Sequence, residues 1–190
     1  MNSSMKNSTN DKMIVPMFRF KFRMTIVLLL LMMLLAACVY NAGRDAIDRT
    51  TVANLNLQKF MGRWYEIARF DHRFERGMRS VTADYTLLPN GQVEVVNEGM
   101  RGGELHRSVG HAKTTAQPGH LRVSFFWKFY SDYNILEMGE QGDWVLVGSR
   151  APHYLWILSR TPTLPDQTID YIVALAAKRG YNVKGLIFNR

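Results

Sequence analysis

The chain has 190 residues, which is enough for one domain with a hydrophobic core and short for two. Its net charge is +8, but residues 1–37 carry five basic side chains against one acidic side chain, so the rest is only mildly basic. That charge density, without a basic stripe interleaved with aromatic residues, does not fit a nucleic-acid-binding protein. Cys38 is the only cysteine, so the chain forms no internal disulfide and no cysteine metal cluster.

The N-terminal segment predicts a secretory signal. Basic residues at 19–23 precede an apolar run at 24–37 that contains a single threonine. This run of 14 residues is too short to span a bilayer core, which takes about 20 residues, and it fits the apolar region of a signal peptide. The sequence Leu-Ala-Ala-Cys at 35–38 resembles the lipobox of bacterial lipoproteins, in which the cysteine receives a diacylglyceryl group. The alternative is an ordinary signal peptide that an unrelated cysteine happens to follow.

These features predict three segments of the chain. They are a lipoprotein signal peptide at 1–37, a lipidated tether at 38–54 that begins at Cys38, and a globular domain at 55–190. The tether is polar with scattered charges, as linkers between a lipid and a domain often are. By the same resemblance, an aspartate after the cysteine would retain the protein at the inner membrane, so Val39 favours the outer membrane. Several acyl chains on one cysteine anchor a protein stably in the membrane, because each buried CH₂ contributes about 0.8 kcal/mol to the free energy of binding.

Short turns divide the next part of the chain into eight predicted strands. In the second strand the apolar residues at 81, 83, 85 and 87 alternate with polar ones, and Pro-Asn-Gly at 89–91 predicts a tight turn. The predicted strands cover 63–70, 80–88, 92–99, 104–114, 120–127, 132–138, 144–149 and 154–159. Eight sequential antiparallel strands close into an up-and-down barrel, whose interior accommodates one small ligand.

The periodicity changes after Pro162. Apolar residues recur at helical spacing from Pro165 to Lys178, and Gly180 is suited to cap the helix. Residues 183–188 then predict a short extra strand. The predicted fold class is therefore all-β: an eight-stranded up-and-down antiparallel barrel with a C-terminal α-helix and a short extra strand.

Two separated motifs relate this fold to a known family. Gly62 stands two residues before Trp64, and Arg160 follows the last predicted barrel strand. The first pair resembles the Gly-x-Trp signature of lipocalins, in which an arginine from the end of the last strand packs over the tryptophan and closes the barrel floor. Residues 66–77 also resemble the segment that follows this signature in the bacterial outer-membrane lipoproteins of the family. The resemblance covers residues 55–190 and implies a cavity that is open at one end.

The resemblance and the strand alternation together imply a ligand-binding cup. The candidate ligand-binding residues are Trp64, Phe70, Tyr85, Val95, Asn97, Phe125, Trp127, Tyr133, Arg76 and Arg79. An ordinary barrel core, without a ligand, is the alternative for each aromatic side chain. In a lipocalin the loop that holds Arg76 and Arg79 lies across the open end, where arginines are placed to contact a phosphate or carboxylate. A loop held by its own arginine–carboxylate pairs is the alternative for this segment.

The sequence contains no motif for catalysis or metal binding. Its serines stand in no Gly-x-Ser-x-Gly elbow, and no Walker loop or dinucleotide-binding glycine pattern occurs. No two histidines have HxxxH spacing, and His106 and His111 face opposite sides of one predicted strand. A thiol-based lipocalin enzyme is also excluded, because it needs a cysteine inside the cup. We therefore expect no enzymatic activity, no cofactor and no bound metal.

These inferences predict a lipid-anchored outer-membrane protein. We expect it to bind a fatty acid or lysophospholipid in an apolar barrel cavity, for storage or transport of lipids during envelope maintenance or stress. Its expected partners are this small hydrophobic ligand and the membrane that holds the anchor. The alternative is an interaction or scaffold protein that docks a partner, or a second copy as a homodimer, through the aromatic mouth at 125–130. An enzyme that acts on a sequestered lipid is a third and weaker hypothesis.

Overall fold

The computed structural model describes Met32–Met33 and residues 47–189. The predicted lipidation site Cys38, and the predicted signal peptide apart from Met32–Met33, lie outside the described residues. The fold that follows is that of residues 47–189.

A closed antiparallel barrel accounts for most of these residues. Its eight strands are β1 (Gly62–Phe70), β2 (Arg79–Leu87), β3 (Val93–Arg101), β4 (Glu104–Thr114), β5 (His120–Ser124), β6 (Ser131–Met138), β7 (Trp144–Gly148) and β8 (Leu155–Ser159). Each strand pairs with the next along the chain, because short turns favour antiparallel neighbours, and β1 closes the barrel by pairing with both β2 and β8. The predicted barrel is confirmed.

Two helices and a short strand flank the barrel. A one-turn helix, α1 (Leu57–Phe60), precedes β1, and the predicted C-terminal helix is α2 (Asp166–Lys178). The strand predicted at 183–188 is wrong in its first half, where Val183–Gly185 forms a 3₁₀ turn. Only β9 (Leu186–Phe188) is extended, and it pairs with the last three residues of β1.

A bulge in β1 decides which of its side chains enter the barrel. The register between β1 and β8 shifts between Glu66 and Ala68. Partners directly opposite in a sheet share a face, so Glu66 stands beside Leu158 and Arg69 beside Trp156 on the interior face. β1 therefore directs two charged side chains, three residues apart, into the barrel.

Two apolar clusters form the core on either side of the barrel wall. The interior cluster includes Trp64, Tyr85 and Val95, together with inward side chains from the other strands. The outer cluster lies between the barrel wall and α2, which buries Ile172 and Ala176 there. α2 thus covers one side of the barrel and leaves the interior to the strands.

β5 ends at Ser124 instead of residue 127, so the predicted strand is wrong over its last three residues. The Ser124 hydroxyl donates to the carbonyls of Phe126 and Trp127, at 3.2 Å each, and the chain turns there. Trp127 adopts a left-handed conformation with φ of 47°. The apolar alternation continues past this turn, so hydrophobic periodicity alone overestimates the length of the strand.

The last residues of the predicted tether are bound to the barrel and to α2. The Val52 amide donates to the Ile135 carbonyl at 3.0 Å, and the Asp48 amide donates to the Arg179 carbonyl at 2.8 Å. Val52 also packs against the interior cluster. Asp48 and Val52, which belong to the predicted tether at 38–54, are therefore in hydrogen-bonding contact with the domain.

Candidate functional site

One end of the barrel is closed by Trp64 and Arg160. Trp64 is only 1% exposed, and its indole N–H donates to the Phe60 carbonyl of α1 at 2.9 Å. Cζ of Arg160 lies 3.8 Å from the centroid of the Trp64 ring, which is the cation–π contact that the resemblance implies. The same guanidinium donates to the carbonyls of Lys59 and Arg63, at 2.6 and 2.9 Å. It therefore fixes α1 and β1 together across the floor.

A pair of tyrosines crosses the interior above this floor. The hydroxyls of Tyr85 and Tyr133 are hydrogen-bonded at 2.8 Å, and the Tyr85 ring packs edge-on against Phe60 at 5.1 Å between centroids. Burial raises the pKa of both tyrosines above the usual value. The pair is thus neutral, and it presents one polar contact among the apolar side chains of the interior cluster.

An apolar cavity of about 90 Å³ lies on the side of the tyrosine pair that faces the open end. Five of the predicted ligand-binding residues line this cavity: Tyr85, Val95, Asn97, Phe125 and Tyr133. The other lining residues are Glu66, Glu75, Val81, Thr82, Ala83, Val123, Trp156 and Leu158. The volume is below the range of about 300–1,000 Å³ that is usual for small-molecule pockets.

The other five predicted residues lie elsewhere, and bulge, turn and loop geometry explain why. Trp64 belongs to the floor, below the cavity. The bulge in β1 turns Phe70 to the outer cluster, where its ring lies 6.3 Å from that of Tyr181. Trp127 stands beyond the end of β5 and is 77% exposed.

The two predicted arginines lie outside the cavity. Arg76 pairs with Asp71 at 3.0 Å on the exposed side of its loop, in agreement with the alternative of internal arginine–carboxylate pairs. Arg79 begins β2 and is also exposed. Neither residue lines the apolar cavity.

A buried ionic cluster, which the sequence analysis did not identify, lies between the cavity and the open end. It consists of Glu66, Arg69, His72 and Glu75, of which the last two belong to the loop at 71–78, the mouth loop. Arg69 is 2% exposed; its Nη1 donates to Glu66 Oε1 at 2.5 Å, and its Nη2 donates to the Glu75 carbonyl at 2.8 Å. The mouth loop is therefore fastened to the interior of the barrel by a buried arginine.

The Glu75 side chain points into the barrel. Its Oε2 accepts a hydrogen bond from Trp156 Nε1 at 3.0 Å and lies 3.0 Å from His72 Nε2. Glu66 and Glu75 both line the cavity. The sequence signal for this cluster is the presence of Glu66 and Arg69 among the apolar residues of the second half of β1, and ordinary alternation would have placed them on opposite faces.

The two carboxyl groups of the cluster have opposite pKa shifts. Burial, together with the charge of Glu75, raises the Glu66 pKa to about 7, although Arg69 opposes this shift. Burial also acts to raise the Glu75 pKa, but the adjacent His72 ring and the hydrogen bond from Trp156 lower it below the usual value. Glu75 is thus the more acidic of the two, while Glu66 exchanges a proton near neutral pH.

We expect Glu66→Gln to remove a pH dependence of stability. A carboxyl whose folded pKa of about 7 exceeds the unfolded value of 4.5 stabilises fully below pH 4.5, and this contribution is lost as the pH rises through 7. The loss is on the order of 3 kcal/mol at 1.36 kcal/mol per pKa unit. Urea unfolding between pH 5 and 8 should show a wild-type stability that declines relative to the variant. Glu98→Gln, in a partly exposed pair with Arg107, is the control, and parallel pH profiles for Glu66→Gln and wild type would refute the shift.

The barrel, its floor and its cavity allow comparison with known proteins. A family model described as a lipocalin-like domain matches residues 55–190. The chain belongs to the lipocalin family. Lipocalins bind lipids or other small hydrophobic ligands, and as a family they are binding and transport proteins.

Similar sequences include bacterial lipoproteins and a plant lipocalin. The outer membrane lipoprotein Blc of Escherichia coli K12 is 42% identical over 143 residues, which is 73% of this chain and 81% of that protein. The Blc of Vibrio cholerae is 36% identical over 142 residues, 72% of this chain and 83% of that protein. Temperature-induced lipocalin-1 of Arabidopsis thaliana is 33% identical over 146 residues, 71% and 78% of the two chains.

Solved structures support the fold. Insecticyanin from the tobacco hornworm Manduca sexta superposes with a TM-score of 0.62 at 17% identity, over 75% of this chain and 84% of its own. Lobster apocrustacyanin A1 superposes with a TM-score of 0.59 at 19% identity, over 70% and 78% of the two chains. At these identities the similarity establishes the lipocalin barrel.

Within residues 47–189 and Met32–Met33, no helix is long and apolar enough to cross a membrane. Over the same part of the chain, no three His, Cys, Asp or Glu side chains lie together as a metal site.

Proposed function

We propose that this lipocalin is anchored in the outer membrane through Cys38 and binds a fatty acid or lysophospholipid in its barrel cavity. Its role would be to store or carry such lipids during envelope maintenance or stress. The outer-membrane lipoproteins among its relatives support the location, and the Leu-Ala-Ala-Cys sequence supports the anchor. Release of a Cys38→Ser variant from the membrane fraction is the expected result, and its retention would contradict the anchor.

The observation that carries the ligand proposal is the arrangement of polar and apolar groups in the cavity. Its walls towards the floor include Ala83, Tyr85 and Val95, whereas Arg69, His72 and Glu75 of the ionic cluster stand at the side of the mouth loop. A single-chain amphiphile has the same division between an apolar tail and a charged head. Each CH₂ of the tail that leaves water contributes about 0.8 kcal/mol.

The cavity must widen before it can hold a long-chain lipid. A volume of about 90 Å³ does not hold a long acyl chain, so binding must move side chains that now fill the barrel. The mouth loop lies across the open end and contributes Glu75 to the cavity wall. Displacement of this loop would widen the cavity at the end through which a tail enters.

Titration with a fluorescent fatty acid tests the function. We expect one site per chain and an affinity that rises by up to about fourfold per CH₂ across a series of saturated acids, until the tail exceeds the cavity. An affinity that does not change with chain length would contradict binding in the barrel. Lipid that is chemically unchanged after long incubation with the protein would favour a binding protein over an enzyme.

A second candidate function is favoured by the aromatic side chains beyond β5. Phe126, Trp127 and Phe129 are each about two-thirds or more exposed, and the Phe126 and Phe129 rings stack at 6.1 Å between centroids. Clustered exposed apolar groups are typical of interaction surfaces. A chain that takes up no lipid in the titration, yet self-associates through this surface, would favour a scaffold over a lipid carrier.

A further inference from the structure

The Glu75 carboxylate occupies a site that is built to hold an anion. It accepts from the Trp156 indole and lies 3.0 Å from His72 Nε2 and 3.9 Å from Arg69 Nε. The His72 ring lies 5.2 Å from both the Tyr154 and Trp156 rings, which fix its position. Nitrogen groups from β1, β8 and the mouth loop thus face one carboxylate, and of these the Trp156 indole donates a hydrogen bond to it.

This site has donor capacity that Glu75 does not use. Among the atoms of the described residues, Arg69 Nε and both ring nitrogens of His72 are buried and make no hydrogen bond, although His72 Nε2 lies 3.0 Å from Glu75 Oε2. A buried donor without an acceptor costs about 1–3 kcal/mol, and native structures contain few of them. A carboxylate that approaches Arg69 more closely than Glu75 does would satisfy the guanidinium better.

The position of the site matches the head of a ligand whose tail lies in the barrel. Glu75 is itself a wall of the apolar cavity, with Val81 and Leu158 among the other walls. A carboxylate at the Glu75 position therefore has apolar space directly beneath it. The exposed Arg76 does not have this relation to the cavity, because it pairs with Asp71 on the outer side of the mouth loop.

We propose that Arg69, His72 and Trp156 form the head-group site for the ionised carboxylate of a fatty acid, and that Glu75 occupies this site until the ligand replaces it. The inference rests on the proposed lipid-binding function and deepens it. One carboxylate enters as another leaves, so the exchange adds no unpaired charge to the buried cluster. The departure of Glu75 also removes one wall of a cavity that is too small for a long tail.

Equilibrium titration of the purified protein with cis-parinaric acid and its methyl ester at pH 7.5 tests the exchange. Glu75→Ala should raise the ratio of acid to ester affinity about fivefold or more, because the donors lose their internal occupant. Trp156→Phe should lower that ratio about fivefold, because the ring remains but the indole donor is lost. Asp71→Ala is the matched control: it removes a carboxylate from the same loop, outside the barrel, and should leave the ratio within about twofold.

The outcomes separate this inference from the function on which it rests. Binding of acid and ester with ratios that neither Glu75→Ala nor Trp156→Phe changes would overturn the head-group site and leave lipid binding intact. Failure of the wild type and all variants to bind either probe would overturn both.

Limited trypsin digestion of the wild type gives a second readout that needs no variant. Arg73 and Arg76 are cleavage sites in the mouth loop, which the contacts of the Glu75 carboxylate with Trp156 and His72 hold against the barrel. Lauric acid should accelerate cleavage at these two sites severalfold, and methyl laurate should not, because only the acid releases Glu75. Equal effects of the two compounds, or no acceleration by the acid, would overturn the exchange.

Discussion

Trp64→Ala is expected to lower the free energy of unfolding by about 3–5 kcal/mol, as large-to-small changes at buried aromatic residues do. The substitution removes the ring that Arg160 covers, the packing against Phe60 at 5.2 Å, and the indole hydrogen bond to α1. α1 would then be held to the barrel by the hydrogen bonds of Arg160 and by the packing of Phe60 against Tyr85. For a domain of this size, the melting temperature should fall by roughly 6–20 °C.

The chain offers a matched control for this prediction. Trp127→Ala removes the same side chain from a position that is 77% exposed, and its effect should stay within about 0.5 kcal/mol. Urea unfolding of the two variants measures both values. Equal stability losses for the two tryptophans would show that Trp64 is not the centre of the floor.

Arg69→Met is expected to lower the free energy of unfolding by about 3–5 kcal/mol, because it removes the cation from a buried ionic cluster. Methionine keeps much of the volume of the side chain but leaves Glu66 and Glu75 without the guanidinium between them. The mouth loop also loses the hydrogen bonds from Arg69 to the carbonyls of Glu75 and Met78. Without Arg69 the Glu66 pKa should rise further, so the variant should be less destabilised at pH 5 than at pH 8.

Arg63→Met provides the comparison at an exposed ion pair. Arg63 contacts Asp84 at 2.8 Å with half of its side chain exposed, and such pairs contribute about 0–1 kcal/mol. A second variant, Arg69→Met with Glu66→Gln, should recover part of the lost stability because it removes the unpaired carboxylate. If Arg69→Met were as stable as Arg63→Met at pH 8, the claim that the buried ionic cluster stabilises the fold would be contradicted.

Hydrophobic alternation and turn residues predicted most of the fold. The strand at 104–114 has the predicted bounds, and the other barrel strands except β5 differ from the prediction by at most two residues at either end. The predicted fifth strand is too long by Phe125–Trp127, because apolar side chains continue where the backbone turns. Such a turn depends on hydrogen bonds from Ser124 that periodicity does not reveal.

The candidate site was only half predictable, and the bulge in β1 is the main reason. Alternation from Trp64 places Phe70 inside the barrel, whereas one extra residue in β1 turns Phe70 outwards and Arg69 inwards. A bulge is set by pairing with a distant strand, which a local pattern does not contain. The ionic cluster was missed for the same reason, and because a charged loop is more often solvated than drawn into a barrel.

Native mass spectrometry of a soluble form that starts at Gly43, purified from the host envelope without detergent, tests the central claim most directly. The account predicts a one-to-one adduct with the mass of a fatty acid or a lysophospholipid, displaced by an excess of another long-chain acid. A bare protein mass that added lipids do not change would contradict it, and would leave the exposed aromatic surface around Phe126 and Trp127 as the functional feature.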